Sequence, residues 1–113
     1  MSALPYTPLF RAGDWACISG QIGIDDDGVV DGVEAQLRQI LSNLDRLLGE
    51  HDVAASQIVK TTVFLVDMAD YAVMNQLYGE YFGEHRPARS AVAVAELPFG
   101  ARIELEAWAY LGD

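Results

Sequence analysis

The sequence predicts an α+β fold: a mixed β-sheet with two helices packed on one face. Three observations predict it. Two segments carry apolar residues at helical spacing. Five others read as strands, by period-two alternation or β-branched content. Their order is two strands, helix, strand, helix, two strands, without repeats or linkers. Each helix follows a strand and returns to one, so both are crossovers that cover one sheet face. The length suits a single domain spanning residues 1–113.

Residues 1–8, "MSALPYTP", hold two prolines and read as an extended lead-in. "LFRAGDWACISG" reads as two short strands about a turn at Gly13-Asp14, and "IGIDDDGVVDG" as a loop. Residues 33–48 form a helix, with Val33, Leu37, Ile40, Leu41, Leu44, Leu47 and Leu48 on one stripe. Asp31 with Glu34 resembles a capping box, and Gly49 is a natural stop. "QIVKTTVFLV" (57–66) is a strand whose second half is apolar on both faces, so it belongs in the middle of the sheet. A second helix covers 68–82, with Tyr71, Met74, Leu77, Tyr78, Tyr81 and Phe82 on its stripe, Asp67 as cap and Gly83 as stop. Strand 89–95 follows, then a turn at "ELPFGA". The last strand, 102–111, sets Ile103, Leu105, Ala107, Ala109 and Leu111 on one side and Arg102, Glu104, Glu106, Trp108 and Tyr110 on the other.

With the helices on one face, the opposite sheet face is bare and carries Trp108 and Tyr110. Monomers rarely leave such a patch in water, so self-association is expected, with the last strand's charged head near a subunit boundary.

Composition excludes several classes. The formal charge is −10, with seven basic residues and Lys60 the sole lysine. Such a surface repels phosphate backbones, which argues against nucleic-acid binding. No apolar run approaches the roughly 20 residues of a membrane span. The single Cys17 excludes an internal disulfide; with no leader-like start, a cytoplasmic setting is expected. His51, His85 and Cys17 lack ligand spacing, so no metal is expected. "GIDDDGVVDGVE" approaches a calcium loop, but its first position is Gly23, and it reads as a solvated acidic turn. Cys17 reads as a buried, inert thiol, and neither Ser19 nor Ser90 adjoins a histidine.

Arg89 opens one strand and Glu104 stands near the start of the next. With those strands close in one sheet, the pair would face one cleft. The guanidinium would grip a carboxylate, and the carboxylate would hold or deprotonate a water. A plain salt bridge in a polar corner explains the spacing equally simply, and spacing alone favours it.

"SGQIG" (19–23), "IVKTTVFL" (58–65), "RPARSAVAVAELPFGARIELEA" (86–107) and Pro5-Tyr6 resemble the reactive-intermediate deaminase (RidA, YjgF-like) family, over almost the whole chain. The resemblance implies a chorismate-mutase-like fold and a homotrimer with sites in clefts between subunits. It implies a role in metabolite damage control: hydrolysis of enamines and 2-imino acids of the 2-aminoacrylate type to 2-oxo acids and ammonia, without a cofactor. Arg89 matches the carboxylate-binding arginine and Glu104 the acid that positions water. Tyr6, Ser19 and Asn75 match cleft residues, and Ala91 a position whose backbone meets the ligand. "EHRPARS" is shorter than the family's loop before the arginine. Within this reading, Trp108 and Tyr110 pack the trimer interior, and Glu106 pairs with Arg102 across the boundary. The alternatives are a non-catalytic trimer that binds a 2-oxo acid or amino acid, an enamine deaminase of a specific degradation pathway, and a ribonuclease.

Overall fold

The structure is a computed structural model and describes residues 4–112, so the first three residues of the expected lead-in lie outside the described part. Five strands form one sheet: β1 (Leu9–Ala12), β2 (Trp15–Ile22), β5 (Ile58–Leu65), β6 (Ala88–Ala93) and β7 (Ile103–Tyr110). Their order is β1-β2-β7-β5-β6. Strands β2, β5 and β6 run parallel, and β1 and β7 run against them. Helices α1 (Val33–Glu50) and α2 (Tyr71–Phe82) are the two crossovers, and both cover one face. This is the mixed α+β architecture that the segment order predicts.

Strand β7 is central because one of its sides is wholly apolar. Ile103, Leu105, Ala107 and Ala109 are buried beneath the helices, where they meet Leu37, Ile40 and Leu44 of α1 in the core. Strand β5 lies between β7 and β6, as its two-sided apolar half requires. Thr61 is a fully buried polar residue beside that core, and its hydroxyl shares a buried 2.6 Å hydrogen bond with Tyr78 of α2. Each such bond contributes about 1 kcal/mol, and leaving either group unpaired costs more.

Helix ends differ from expectation. The N-cap of α1 is Gly32, at φ 91°, with no side-chain cap, and Gly49 lies inside the helix. Asp31 and Glu34 therefore form no capping box. The chain enters α1 through a positive φ that suits glycine. Asp67 does cap, but its carboxylate accepts from the Ala69 N–H, 2.9 Å away, in a 3-10 turn over Met68–Asp70 that precedes α2. Gly83, at φ 64°, ends α2 as expected.

The expected loop after β2 contains a small hairpin, β3 (Ile24–Asp25) with β4 (Gly28–Val29). Asp25 accepts the Asp27 N–H at 2.8 Å, so the acidic run is turn chemistry. Gln36, buried in α1, ties this region to β7. Its amide donates to the Val30 carbonyl at 3.0 Å and accepts the Arg102 N–H at 2.8 Å. Gly23 makes that approach possible, since a Cβ there would lie 2.5 Å from the Gln36 Cα. Among the described residues, no helix is long and apolar enough to cross a membrane.

The second sheet face is open. It presents Phe10, Trp15, Val92, Trp108 and Tyr110, each 39–63% exposed. Trp15 packs edge-on against Trp108, with ring centroids 6.3 Å apart, and tilts against Tyr110 at 5.1 Å.

Candidate active site

Paired residues in a sheet share a face. Arg89 pairs with Thr61, and Thr61 pairs with Ala107, so Arg89 lies on the helix-covered side. Glu104, three residues from Ala107, pairs with Phe64 and Ile22 and lies on the open side. Strand β5 separates their strands. Within one protomer the two groups therefore face opposite ways and neither form a salt bridge nor share a cleft, which corrects the simplest reading of their spacing. The reason is parity combined with a strand insertion that the linear order conceals.

The structure instead builds two half-sites. The first is a hollow of about 540 Å³ on the open face, lined by Tyr6, Ser19, Glu104, Glu106, Phe99 and Cys17 among others. Three predicted site residues meet there. Ser19 acts through the lead-in: its hydroxyl donates to the Thr7 carbonyl at 2.7 Å and its N–H to the Pro8 carbonyl at 2.8 Å. These bonds hold the segment that carries Tyr6 over the sheet. A register shift in β2 between Ile18 and Gln21 brings Gly20 under Glu104. A Cβ on Gly20 would lie 2.0 Å from Glu104 Oε2, so the carboxylate rests in a space that only glycine leaves.

Partial burial raises the Glu104 carboxyl above its ordinary value, and the neighbouring Glu106 carboxylate raises it further. A carboxyl moved toward neutrality exchanges protons more readily near pH 7. Cys17, in the same hollow, is also raised, first by burial and then by Glu106. It is thus held as a thiol, but it is half-buried and lines the hollow, which corrects the expectation of a buried one, because its strand position faces the open side of the sheet.

The second hollow, about 290 Å³, lies at the end of α2 and is lined by Asn75, Tyr78, Gly79, Phe82, Arg86, Pro87 and Arg89. The Arg89 guanidinium lies over the Tyr78 ring, 4.9 Å from its centroid, and 5.6 Å from that of Tyr71. One terminal nitrogen donates to the Tyr71 hydroxyl at 3.1 Å and the other to Met74 Sδ at 3.4 Å. Every partner is neutral. Among the described residues no carboxylate pairs with Arg89. An Arg fixed by aromatic faces, with no charged partner, can accept an anion. Asn75 joins it, and Ala91, two residues further along β6, lies on the same sheet side, packed against the core.

Sequence reading missed Tyr71, Met74 and Tyr78 as the cradle of Arg89. Their i, i+3, i+7 spacing marks one helix face, but it reads as core stripe until β6 is placed beneath it. It also missed Gly20. Arg102 has a partner that sequence reading did not name, pairing at 2.8 Å with Asp70 of its own chain. Among the described residues no three potential metal ligands gather.

Comparison with known proteins agrees with this architecture. The family model described as Endoribonuclease L-PSP matches residues 1–111. A RutC family protein of Pyrococcus horikoshii is 44% identical, covering 94% of this chain and 86% of its own. The 2-iminobutanoate/2-iminopropanoate deaminase of Homo sapiens is 40% identical over 96% of this chain and 81% of its own. The crystal structure of E. coli TdcF with bound serine superposes with a TM-score of 0.90 at 32% identity, covering 98% of this chain and 91% of that one. The chain belongs to the YjgF/RidA family.

Proposed function

We propose that this protein hydrolyses 2-imino acids to 2-oxo acids and ammonia, in sites completed between protomers of a homotrimer. The observation that carries the reading is the uncompensated Arg89 guanidinium, held by neutral groups at the edge of a hollow. The name of the human relative supports the reaction class. Glu104 faces away from Arg89 in its own chain, so the acid serving each arginine comes from a neighbour. The apolar open face supplies the reason to associate.

Arg89 anchors the substrate carboxylate by charge-assisted hydrogen bonds, and Asn75 and the Ala91 backbone line the same cleft. The neighbour's Glu104 takes a proton from water as its oxygen bonds to the imine carbon. Glu104 delivers that proton to the imine nitrogen to complete the carbinolamine, then moves the hydroxyl proton to the amino group, and the C–N bond breaks as the C=O bond forms, releasing ammonia and the 2-oxo acid. Tyr6 borders the cleft from the Glu104 side. Nothing in these steps calls for a cofactor.

The test is subunit complementation. Arg89→Ala loses about 1.5–3 kcal/mol of anchoring, a factor of roughly ten to two hundred in kcat/KM. Glu104→Gln binds 2-oxo acids but hydrolyses slowly. Co-refolded in equal amounts, the two variants regain activity in about a quarter of their sites by random assortment, because each site draws on two chains. Mixtures no more active than their components, or a monomer with full turnover, would refute the shared site.

One observation favours a second reading. The E. coli relative holds serine, so the cleft also suits retention of a small amino acid or 2-oxo acid without turnover. Binding without ammonia release would select it. A ribonuclease role, which the family model's description names, is disfavoured by the charge of −10.

A further inference from the structure

We propose that the Arg89 hollow selects 2-imino acids with a second anionic group on the side chain, and that Arg86 receives it. This rests on Arg89 being the anchor for the first carboxylate, as argued above.

Arg86 lines the same hollow as Arg89. Among the described residues, five of the seven basic residues have no acidic partner, and of these five Arg86 and Arg89 line one hollow. Arg38 and Arg102 each have one, to Glu34 and Asp70. Among the described residues, neither Arg86 nor Arg89 does. Two guanidiniums that repel each other are thus left facing one space in an acidic protein. A dianion between them removes the repulsion and satisfies both.

The geometry suits a short diacid. Arg86 and Arg89 are three residues apart, so their Cα atoms are separated by at most about 11 Å. Arg86 is steadied at one end, since its Nε donates to the Gly83 carbonyl at 3.1 Å. Its remaining N–H groups are free to point elsewhere. Gly83, at φ 64°, reverses the chain after α2, and Pro87 stiffens the step into β6. In the same hollow Tyr78, Phe82 and Pro87 offer apolar walls to a methylene stem, and Asn75 offers an amide. The hollow, about 290 Å³, is several times the ~30 Å³ of a water molecule and roomier than a three-carbon acid needs.

The experiment uses stable product acids first. Dissociation constants for 2-oxobutanoate, 4-methyl-2-oxopentanoate and 2-oxoglutarate are measured by calorimetry on the wild type, Arg86→Ala, Arg86→Lys and Arg89→Ala. Deamination of the corresponding imines, generated in situ by amino-acid oxidation, is followed in parallel. The wild type prefers the diacid. Arg86→Ala lowers the diacid-to-monoacid preference by about tenfold or more, and Arg86→Lys retains part of it. An unchanged ratio in Arg86→Ala, or no diacid preference in the wild type, overturns the proposal. So does an equal loss for all three acids with a lower melting temperature, which would make Arg86 only a charge at the C-terminus of α2. If Arg89→Ala binds every acid as well as the wild type, the anchor itself is wrong, and the result is distinct from failure at Arg86.

Discussion

Gly20→Ala separates the candidate site from the fold. The new Cβ would lie 2.0 Å from Glu104 Oε2, 2.7 Å from Cδ and 3.2 Å from Cγ. Ordinary contact is about 3.5 Å, so the carboxylate must retreat by roughly 1.5 Å. A displacement near 1 Å in a reacting group costs on the order of a hundredfold in rate. The fold loses little. Gly20 is not among the glycines of positive φ, so alanine meets no backbone strain. The smaller entropy of the unfolded chain contributes about 0.4–1 kcal/mol toward stability and offsets the moved side chain. The expected result is a kcat/KM for ammonia release about a hundredfold lower, with a melting temperature within a few degrees of the wild type. Added to Glu104→Gln, the change costs almost nothing further, since both act through one carboxylate. Wild-type turnover in Gly20→Ala, or additive losses in the double variant, would show that catalysis does not pass through Glu104.

Two more outcomes follow from the same geometry. Activity falls on acidification as Glu104 takes up a proton, with a midpoint above the ordinary 4.5 because burial and Glu106 raise it. In Glu106→Gln the neighbouring negative charge is gone, the Glu104 value drops, and the acid limb of the pH–rate profile moves to lower pH; an unmoved limb contradicts the coupling. Gly23→Ala drives a Cβ to 2.5 Å from the Gln36 Cα and 2.6 Å from its carbonyl oxygen, both backbone, so α1 must shift. Urea unfolding should show a loss of about 1–3 kcal/mol, and a stability equal to the wild type's would mean that the α1 contact yields freely.

Much of the fold was legible because local rules suffice for it. The stripe from Val33 to Leu48 and the alternation from Ile103 to Tyr110 each name a buried side without reference to any other element. The bare second face followed from two crossovers. The caps were less legible. Asp31 and Glu34 have the composition of a capping box, but Gly32 takes the N-cap at positive φ, a choice made by the hairpin that precedes it. The two-residue strands β3 and β4 are too short for periodicity to register. At the candidate site, residue types were readable and partnerships were not. Arg89 and Glu104 stood out as chemistry, whereas Tyr71, Met74 and Tyr78 looked like core and Gly20 like an ordinary strand residue.

The sequence by itself determined which residues each element buries, the crossover order, and the presence of Arg89 and Glu104 on successive strands. Tertiary structure alone decided that β7 inserts beside β5, so that Arg89 and Glu104 leave the sheet on opposite faces. Periodicity is a property of each strand's own pleat, and it survives any arrangement of neighbours. Which side chains meet depends on strand order and register, which are set by how all the apolar faces are covered together.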